Sequence, residues 1–481
     1  MSPPSTVPAL VALLASTCVL AAADDRVLVE PRTGAFVDAA GRSLLFHGVN
    51  AVYKSAPYLP LTTAFNTNTS LSARDIADLR RWGFNAVRLG VMWPGVVPER
   101  GRVDTAYLAR VRALVDALYA AGIYTIVDLH QDVASPLFCG EGFPDHVFAY
   151  PSDAAPFAEP IDRAYTLNDT THAPQPSSQC ARKFFALYYF TDAAGQAFEQ
   201  LYDVGGAMAD AFVAYWSAVS HALADARGVL AYELINEPWP GNVVRHPSLL
   251  EPGVADRRHL APLYERAAAA IRANDANRIV MFEKALMPGE ATPAGFADVP
   301  GGAAFANRSA LSVHIYCAPV DGTGVPTNVY LCDGEDIAQF EVDAADARRL
   351  RSAVALTEFG NMLNATRAID NLNLLQALAD ARHMSTMFWQ FKTFGKHHPY
   401  GGDESFYLAN GALEHNKVRA LARTYARAVA GERVSSFFDT AHNVGRFELA
   451  FAHNADATAP TVVYTSNEYY YATGVDVAVW P

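Results

Sequence analysis

Eight short apolar runs, spaced along the chain and separated by helical patterns, constrain this sequence more than any other feature. They fall at 44–50, 86–91, 124–130, 230–237, 278–283, 311–316, 354–358 and 386–390. Between them lie patterns of helical period at 72–82, 105–121, 206–226, 257–274, 336–351 and 366–382, with an eighth helix expected over 414–429. Strands alternating with helices read as βα units and a parallel sheet, and near-continuous apolar strands are expected where both faces are covered. Eight such units fit a (β/α)8 TIM barrel better than an open doubly wound sheet. No Gly-rich phosphate fingerprint follows the first strand, which argues against dinucleotide binding. At 51% hydrophobic and 18% charged residues the chain is no disordered segment. A formal charge of −13 gives no basic face for nucleic acid, nor attraction to anionic lipid, while leaving apolar lipid contact open.

Two stretches stand outside the repeat. The segment 131–204, between the third strand and its helix, is too long for an ordinary connection and carries the aromatic run Phe184, Phe185, Leu187, Tyr188, Tyr189 and Phe190. That run reads either as a buried turn under the loop or as a lipid-facing wall beside the site. After 430 the helical pattern stops, and alternating strands are expected at 446–451, 461–465 and 475–480. The domain reading is therefore a leader over 1–23, a catalytic barrel over 24–430 with its insertion, and a small β domain over 431–481, either minimal or cut short.

The leader expectation comes from residues 7–23, an apolar run without Lys or Arg that ends Ala21-Ala22-Ala23. It reads as a cleaved signal peptide, the alternatives being an uncleaved anchor or a buried helix. A secretory route, to the outside of the cell or an endolysosomal lumen, is the expected localisation. Removing Cys18 with the leader leaves Cys139, Cys180, Cys317 and Cys332, an even number that suggests two disulfides among three connectivities. Cys139–Cys180 with Cys317–Cys332 is favoured because each pair staples one long loop; four reduced thiols is the alternative. N-glycosylation sequons stand at Asn68, Asn168, Asn307 and Asn364.

In a barrel of this kind the active site lies at the carboxyl ends of the strands. There the sequence places Arg88, His130, Asn236 with Glu237, His314 with Tyr316, Glu358 and Trp389. Two carboxyls, a guanidinium, two imidazoles, a phenol and an indole at matching ends point to chemistry rather than to separate rim contacts. Glu233 shares the parity of Glu237 but lies about 13 Å deeper at 3.3 Å per residue, which suggests a structural role on the floor side. His130 and His314 have no acidic or Cys partner at ligand spacing, so neither a metal nor any other cofactor is expected.

These strand ends, in this order, resemble glycoside hydrolase family 5 across nearly the whole barrel. The stretches FHGVNAVYKSAPY, GFNAVRLGVMWPGV and DLHQDV resemble its endoglycoceramidase branch more closely. The resemblance implies a retaining β-glycosidase with Glu237 as acid/base, Glu358 as nucleophile and a C-terminal β domain. It also implies sugar contacts from Lys54 and Asp132, and a glycolipid or oligosaccharide substrate cleaved between glycan and ceramide. Arg88 and Tyr316 can hold Glu358 as the carboxylate, Asn236 can bond a sugar 2-hydroxyl, and Trp389 can face a pyranose ring. The alternatives are a secreted endo-β-glucanase or mannanase on the same scaffold, and a non-catalytic carbohydrate- or glycolipid-binding relative.

Overall fold

A computed structural model describes residues 26–286, 291–317, 328–360, 366–395, 405–440 and 445–480. Residues 7–23 of the expected leader, and Asn364, lie outside the described residues.

All eight apolar runs become strands of one closed parallel barrel. In chain order they are His47–Ala51, Ala86–Gly90, Tyr124–Asp128, Val229–Glu233, Ile279–Glu283, Ser309–Ile315, Ala353–Gly360 and Ser385–Trp389. The eighth closes on the first through Thr386 opposite His47 and Phe388 opposite Val49. Helices between successive strands cover the outside, for example Thr105–Ala120, whose first turn is capped by the Asp104 carboxylate accepting from the Tyr107 N–H. Inside, Phe46, Ile126, Met281, Ala310, Ala355 and Met387 fill the floor. An N-terminal hairpin, Val27–Glu30 with Ala35–Asp38, lays Val27, Val29 and Phe36 against that layer. Hydrocarbon thus fills the floor layer inside the barrel, while the polar carboxyl ends of the strands gather at the opposite mouth.

The helix expected over 414–429 is shorter. It spans His415–Leu421, and Tyr425–Val429 is a strand that pairs with Ser43–Leu44 and with Val462–Tyr464. The five-stranded sheet so formed also contains the N-terminal hairpin, so the β region is built onto the barrel floor. Gly431–Phe438 and Phe447–His453 form a separate two-stranded ladder. No strand forms over 475–480, where the alternating apolar residues Val477, Val479 and Trp480 are exposed and find no ladder partner. Among the described residues no helix is long and apolar enough to cross a membrane.

Both favoured disulfides are present, Cys139–Cys180 and Cys317–Cys332. The first ties two parts of the insertion to each other, 41 residues apart. Of the sequons, Asn68, Asn168 and Asn307 are partly exposed.

Candidate active site

Arg88, on the second strand, organises the mouth. It is wholly buried, and its guanidinium reaches four other strands or their extensions. Nη1 donates to Glu358 Oε1 at 2.6 Å and to Asn50 Oδ1 at 3.1 Å; Nη2 donates to Asn236 Oδ1 at 2.8 Å and lies 3.2 Å from Asp128 Oδ1. Nε donates to Glu233. The floor position expected for Glu233 is not found. It is the last residue of the fourth strand, opposite Asp128, whereas Arg88 is level with Ile126 and Ala231, so Glu233 stands two residues nearer the mouth than Arg88.

Glu358 receives Arg88 on one oxygen and the Tyr316 hydroxyl, at 2.8 Å, on the other. Its aim depends on an irregularity in the seventh strand: Leu356 faces Val313 but Glu358 faces His314, so Thr357 is an extra residue. A bulge of this kind re-aims the side chains that follow it. Burial pushes the Glu358 carboxyl up, and the Arg88 charge opposes that rise. His314 does not supply a second fixed charge, because burial lowers its own pKa to about 4.

Glu237 stands past the end of the fourth strand, which stops at Glu233. Its backbone is left-handed, with φ 40°, an arrangement that costs a non-glycine residue about 1–3 kcal/mol and persists only when the surroundings fix it. Here the Gln131 amide donates to the carbonyls of Asn236 and Glu237 at 2.8 and 3.0 Å, and the Glu237 N–H donates to Glu283 Oε2 at 3.1 Å. The side-chain Oε1 lies 2.9 Å from His314 Nδ1. Burial, with Asp132 adding to it, raises the Glu237 carboxyl to about 7. One oxygen of Glu237, one nitrogen of His314 and one oxygen of Glu358 lie within 4.8 Å of one another. His314, without acidic neighbours in the sequence spacing, has Glu237, Glu283 and Glu358 within 3.7 Å in the fold.

Lys54, His130, Asp132 and Trp389 form the adjoining wall. Lys54 pairs with Asp132 and, at 3.2 Å, with Glu141, and its ammonium sits 4.8 Å from the centre of the Trp389 ring. The His130 ring stacks on Trp389 with centroids 5.1 Å apart. Burial opposes a charge on His130 and Lys54 adds to that, yet Asp128 and Asp132 outweigh both and lift its pKa to about 9. Asn236 accepts from Arg88 at Oδ1 and donates one N–H to the Gln131 carbonyl, which leaves its second amide hydrogen for a ligand hydroxyl.

The aromatic run of the insertion divides in two. Tyr188 and Tyr189 are buried; Tyr189 stacks on Trp239, two residues after Glu237, at 4.9 Å. These two tyrosines belong to the core that props the Glu237 turn. Phe184, Phe185 and Phe190 are half-buried, and Leu187 is 41% exposed.

Sequence reasoning missed Glu283, Asp128, Gln131, Asn50 and Glu141. Glu283 ends the fifth strand, so the rule that found the others would have found it too. Gln131 and Asp128 flank His130 in the same DLHQD stretch.

Two carboxyls this close, one buried and held by a guanidinium and a phenol, the other half-buried and raised to the edge of neutrality, are the equipment of a glycoside hydrolase on a (β/α)8 barrel. Comparison with known proteins agrees. The family model for cellulase (glycosyl hydrolase family 5) matches residues 37–395, and that for the glycoside hydrolase family 5 C-terminal domain matches 423–481. The chain is 36% identical to an endoglycoceramidase of Cyanea nozakii over 99% of its own length and 93% of the relative's. It is 34% identical to one of Hydra vulgaris, over 98% and 87%. Endo-glycoceramidase II from Rhodococcus sp., in a complex with a five-membered iminocyclitol, superposes with a TM-score of 0.71 at 27% identity, covering 89% of each chain. The same enzyme in a ganglioside GM3 complex gives 0.70 at 25% identity, covering 90% of each. The chain belongs to glycoside hydrolase family 5, in its endoglycoceramidase branch, and is a glycoside hydrolase.

Proposed function

We propose that the protein is a retaining endo-β-glycosidase that releases the intact glycan from ceramide in glycosphingolipids. The observation that carries the chemistry is the Glu237–His314–Glu358 cluster, with one side-chain oxygen or nitrogen of each within 4.8 Å of the others. Retaining enzymes hold their two carboxyls about 5–5.5 Å apart, whereas inverting ones leave about 6.5–9.5 Å for a water molecule. The full-length likeness to endoglycoceramidases supports the substrate class.

In the first step a Glu358 oxygen attacks the anomeric carbon as the bond to the ceramide oxygen breaks, and Glu237 gives that oxygen its proton. In the second, water attacks the same carbon, Glu237 takes the water's proton, and the Glu358 ester bond breaks. Arg88 and Tyr316 keep Glu358 aimed and stabilise it as a leaving carboxylate. A pKa near 7 lets Glu237 act as acid, then as base, once glycosylation has removed the Glu358 charge. Lys54, Asp132 and Trp389 make the sugar wall. Phe184, Phe185 and Leu187 are the part of the insertion available to lipid chains. The leader and the two disulfides support a secretory route, with Asn68, Asn168, Asn307 and Asn364 as glycosylation sites.

Purified protein is offered a ganglioside, a monoglucosylceramide and a β-glucan, and products are weighed by mass spectrometry. Intact oligosaccharide plus ceramide is the expected outcome. Cleavage of β-glucan alone would move the protein to the endo-β-glucanase reading, and no product from any of them would leave a binding protein.

A further inference from the structure

Glu283 is buried at the end of the fifth strand, and the steps above give it no task. Its Oε2 accepts from the backbone N–H of Glu237 at 3.1 Å. Its Oε1 lies 3.4 Å from His314 Nε2 and 3.8 Å from Arg88 Nη2. Glu283 Oε1 and His314 Nε2 are each buried without a hydrogen-bond partner in the resting structure. Active-site hydrogen bonds are often long in the unliganded state and tighten when substrate binds. The other ring nitrogen, Nδ1, is 2.9 Å from Glu237 Oε1. The three side chains therefore form a line, Glu283–His314–Glu237.

A neutral imidazole has one donor and one acceptor, and the bond made by one nitrogen decides the role of the other. If Glu283 donates to Nε2, the imidazole proton must be on Nδ1, where it points at Glu237 Oε1. That oxygen is then an acceptor, and the acid proton of Glu237 must occupy Oε2. In the opposite tautomer Glu237 would spend its acid proton on His314. Burial raises the Glu283 carboxyl well above its usual range, with Glu233 adding to the rise and Arg88 opposing it. Burial also keeps His314 neutral.

We infer that Glu283 is a positioning residue: its carboxyl holds the Glu237 backbone with one oxygen and, through His314, places the acid proton of Glu237 on the oxygen facing away from the imidazole. This rests on the reading of Glu237 as the general acid. A glutamine at 283 would preserve both contacts, its carbonyl accepting from Glu237 N–H and its amide donating to His314. A methionine would fill similar space and make neither.

The test uses Glu283→Gln, Glu283→Met and Glu237→Gln in the full chain, with octyl and dinitrophenyl β-lactosides. The octyl leaving group needs a proton; the dinitrophenolate does not. Glu283→Met should lower kcat/KM on the octyl substrate about 30- to 100-fold and on the dinitrophenyl substrate by less than about threefold. Glu283→Gln should stay within about threefold of the parent on both. Equal losses on the two substrates, or a Gln variant as damaged as the Met variant, would overturn the inference. If Glu283→Met fails to fold, the Gln variant decides alone, since a role for an ionised carboxylate predicts a loss of tenfold or more there. A normal defect in Glu237→Gln beside an undamaged Glu283→Met overturns the role of Glu283 only. An undamaged Glu237→Gln on the octyl substrate removes the acid assignment beneath it.

Discussion

The mouth and the floor of this barrel both bury charge, but in opposite ratios. Around Arg88 at the mouth stand Asp128, Glu233, Glu283 and Glu358, with Glu237 beside them. At the floor one carboxylate, Asp380, pairs with Arg423, lies 3.6 Å from His47 Nε2 and feels the charge of Arg433. Burial, with carboxyls outnumbering the cations around them, pushes Glu237, Glu283 and Glu358 toward the protonated form. At the floor the cations are in excess: burial pushes Asp380 up, but Arg423 and His47 outweigh it and hold it ionised. Burial meanwhile lowers Arg433 to about 10 and lowers His47 as well. The same burial yields a proton-handling site where acid outnumbers base, and a fixed ionic joint where it does not.

The sharpest way to break this contrast is to neutralise one carboxyl at each end. Glu358→Gln should reduce turnover by at least about a thousandfold, and Glu237→Gln about 10²–10⁴-fold on glycolipid, with no fall in melting temperature. Glycolipid turnover near wild type in either variant would sink its role. Asp380→Asn should do the reverse. It leaves Arg423 without its buried counter-charge, which should cost about 3–5 kcal/mol of stability, while kcat per folded molecule holds. Denaturant unfolding and an active-site titration measure the two separately.

pH separates the two regions next. The Glu237 carboxyl is raised from 4.5 to about 7 in the folded state, so its contribution to stability is fully present below about pH 4.5 and lost as pH rises to about 7. Glu237→Gln should therefore gain stability over the parent on going from pH 4.5 to 8, by up to about 3 kcal/mol. Asp380 has the opposite sign: its folded pKa is lowered, so its stabilisation is present above the ordinary carboxyl range and fades as pH falls below it. A Glu237→Gln stability profile parallel to the parent's would show that this carboxyl does not hold its proton. The proposed role of Glu237 as acid predicts that kcat/KM falls as pH rises through about 7.

The smallest expected effect concerns the outer insertion. Phe185 is half-buried while Tyr189 is core, so Phe185→Ser isolates lipid contact from folding. Shielding three or four CH₂ groups is worth about 2–3 kcal/mol, and one ring supplies a share of that. Glycolipid kcat/KM should drop about three- to tenfold with aryl glycoside hydrolysis unchanged. Equal losses on both substrates would assign Phe185 to packing.

How much of this was legible beforehand depends on range. Period-2 and period-3.6 patterns are local, so all eight barrel strands could be read, and strand ends gave Arg88, His130, Tyr316 and Glu358. Long-range pairing could not be read. The segment Tyr-Ala-Arg-Ala-Val at 425–429 suits a helix by composition, and only its partners Ser43–Leu44 and Val462–Tyr464 make it a strand. The floor-side place expected for Glu233 failed because a count at 3.3 Å per residue assumes an extended strand as far as Glu237, whereas the strand ends at Glu233 and the chain turns before Glu237. The bulge at Thr357 sets the aim of Glu358 and leaves no mark in the strand's apolar pattern. Glu283 lacked any flanking motif, so its place at a strand end passed unremarked.

The central claim is that Glu237 and Glu358 are close enough for double displacement at the anomeric carbon. The most direct measurement is proton NMR of the hydrolysis of a β-linked glycolipid, recorded before the released sugar mutarotates. The first sugar formed should be the β-anomer, relaxing later to the equilibrium mixture. The α-anomer appearing first would mean a single displacement by water, and the roles assigned to both carboxyls would be wrong.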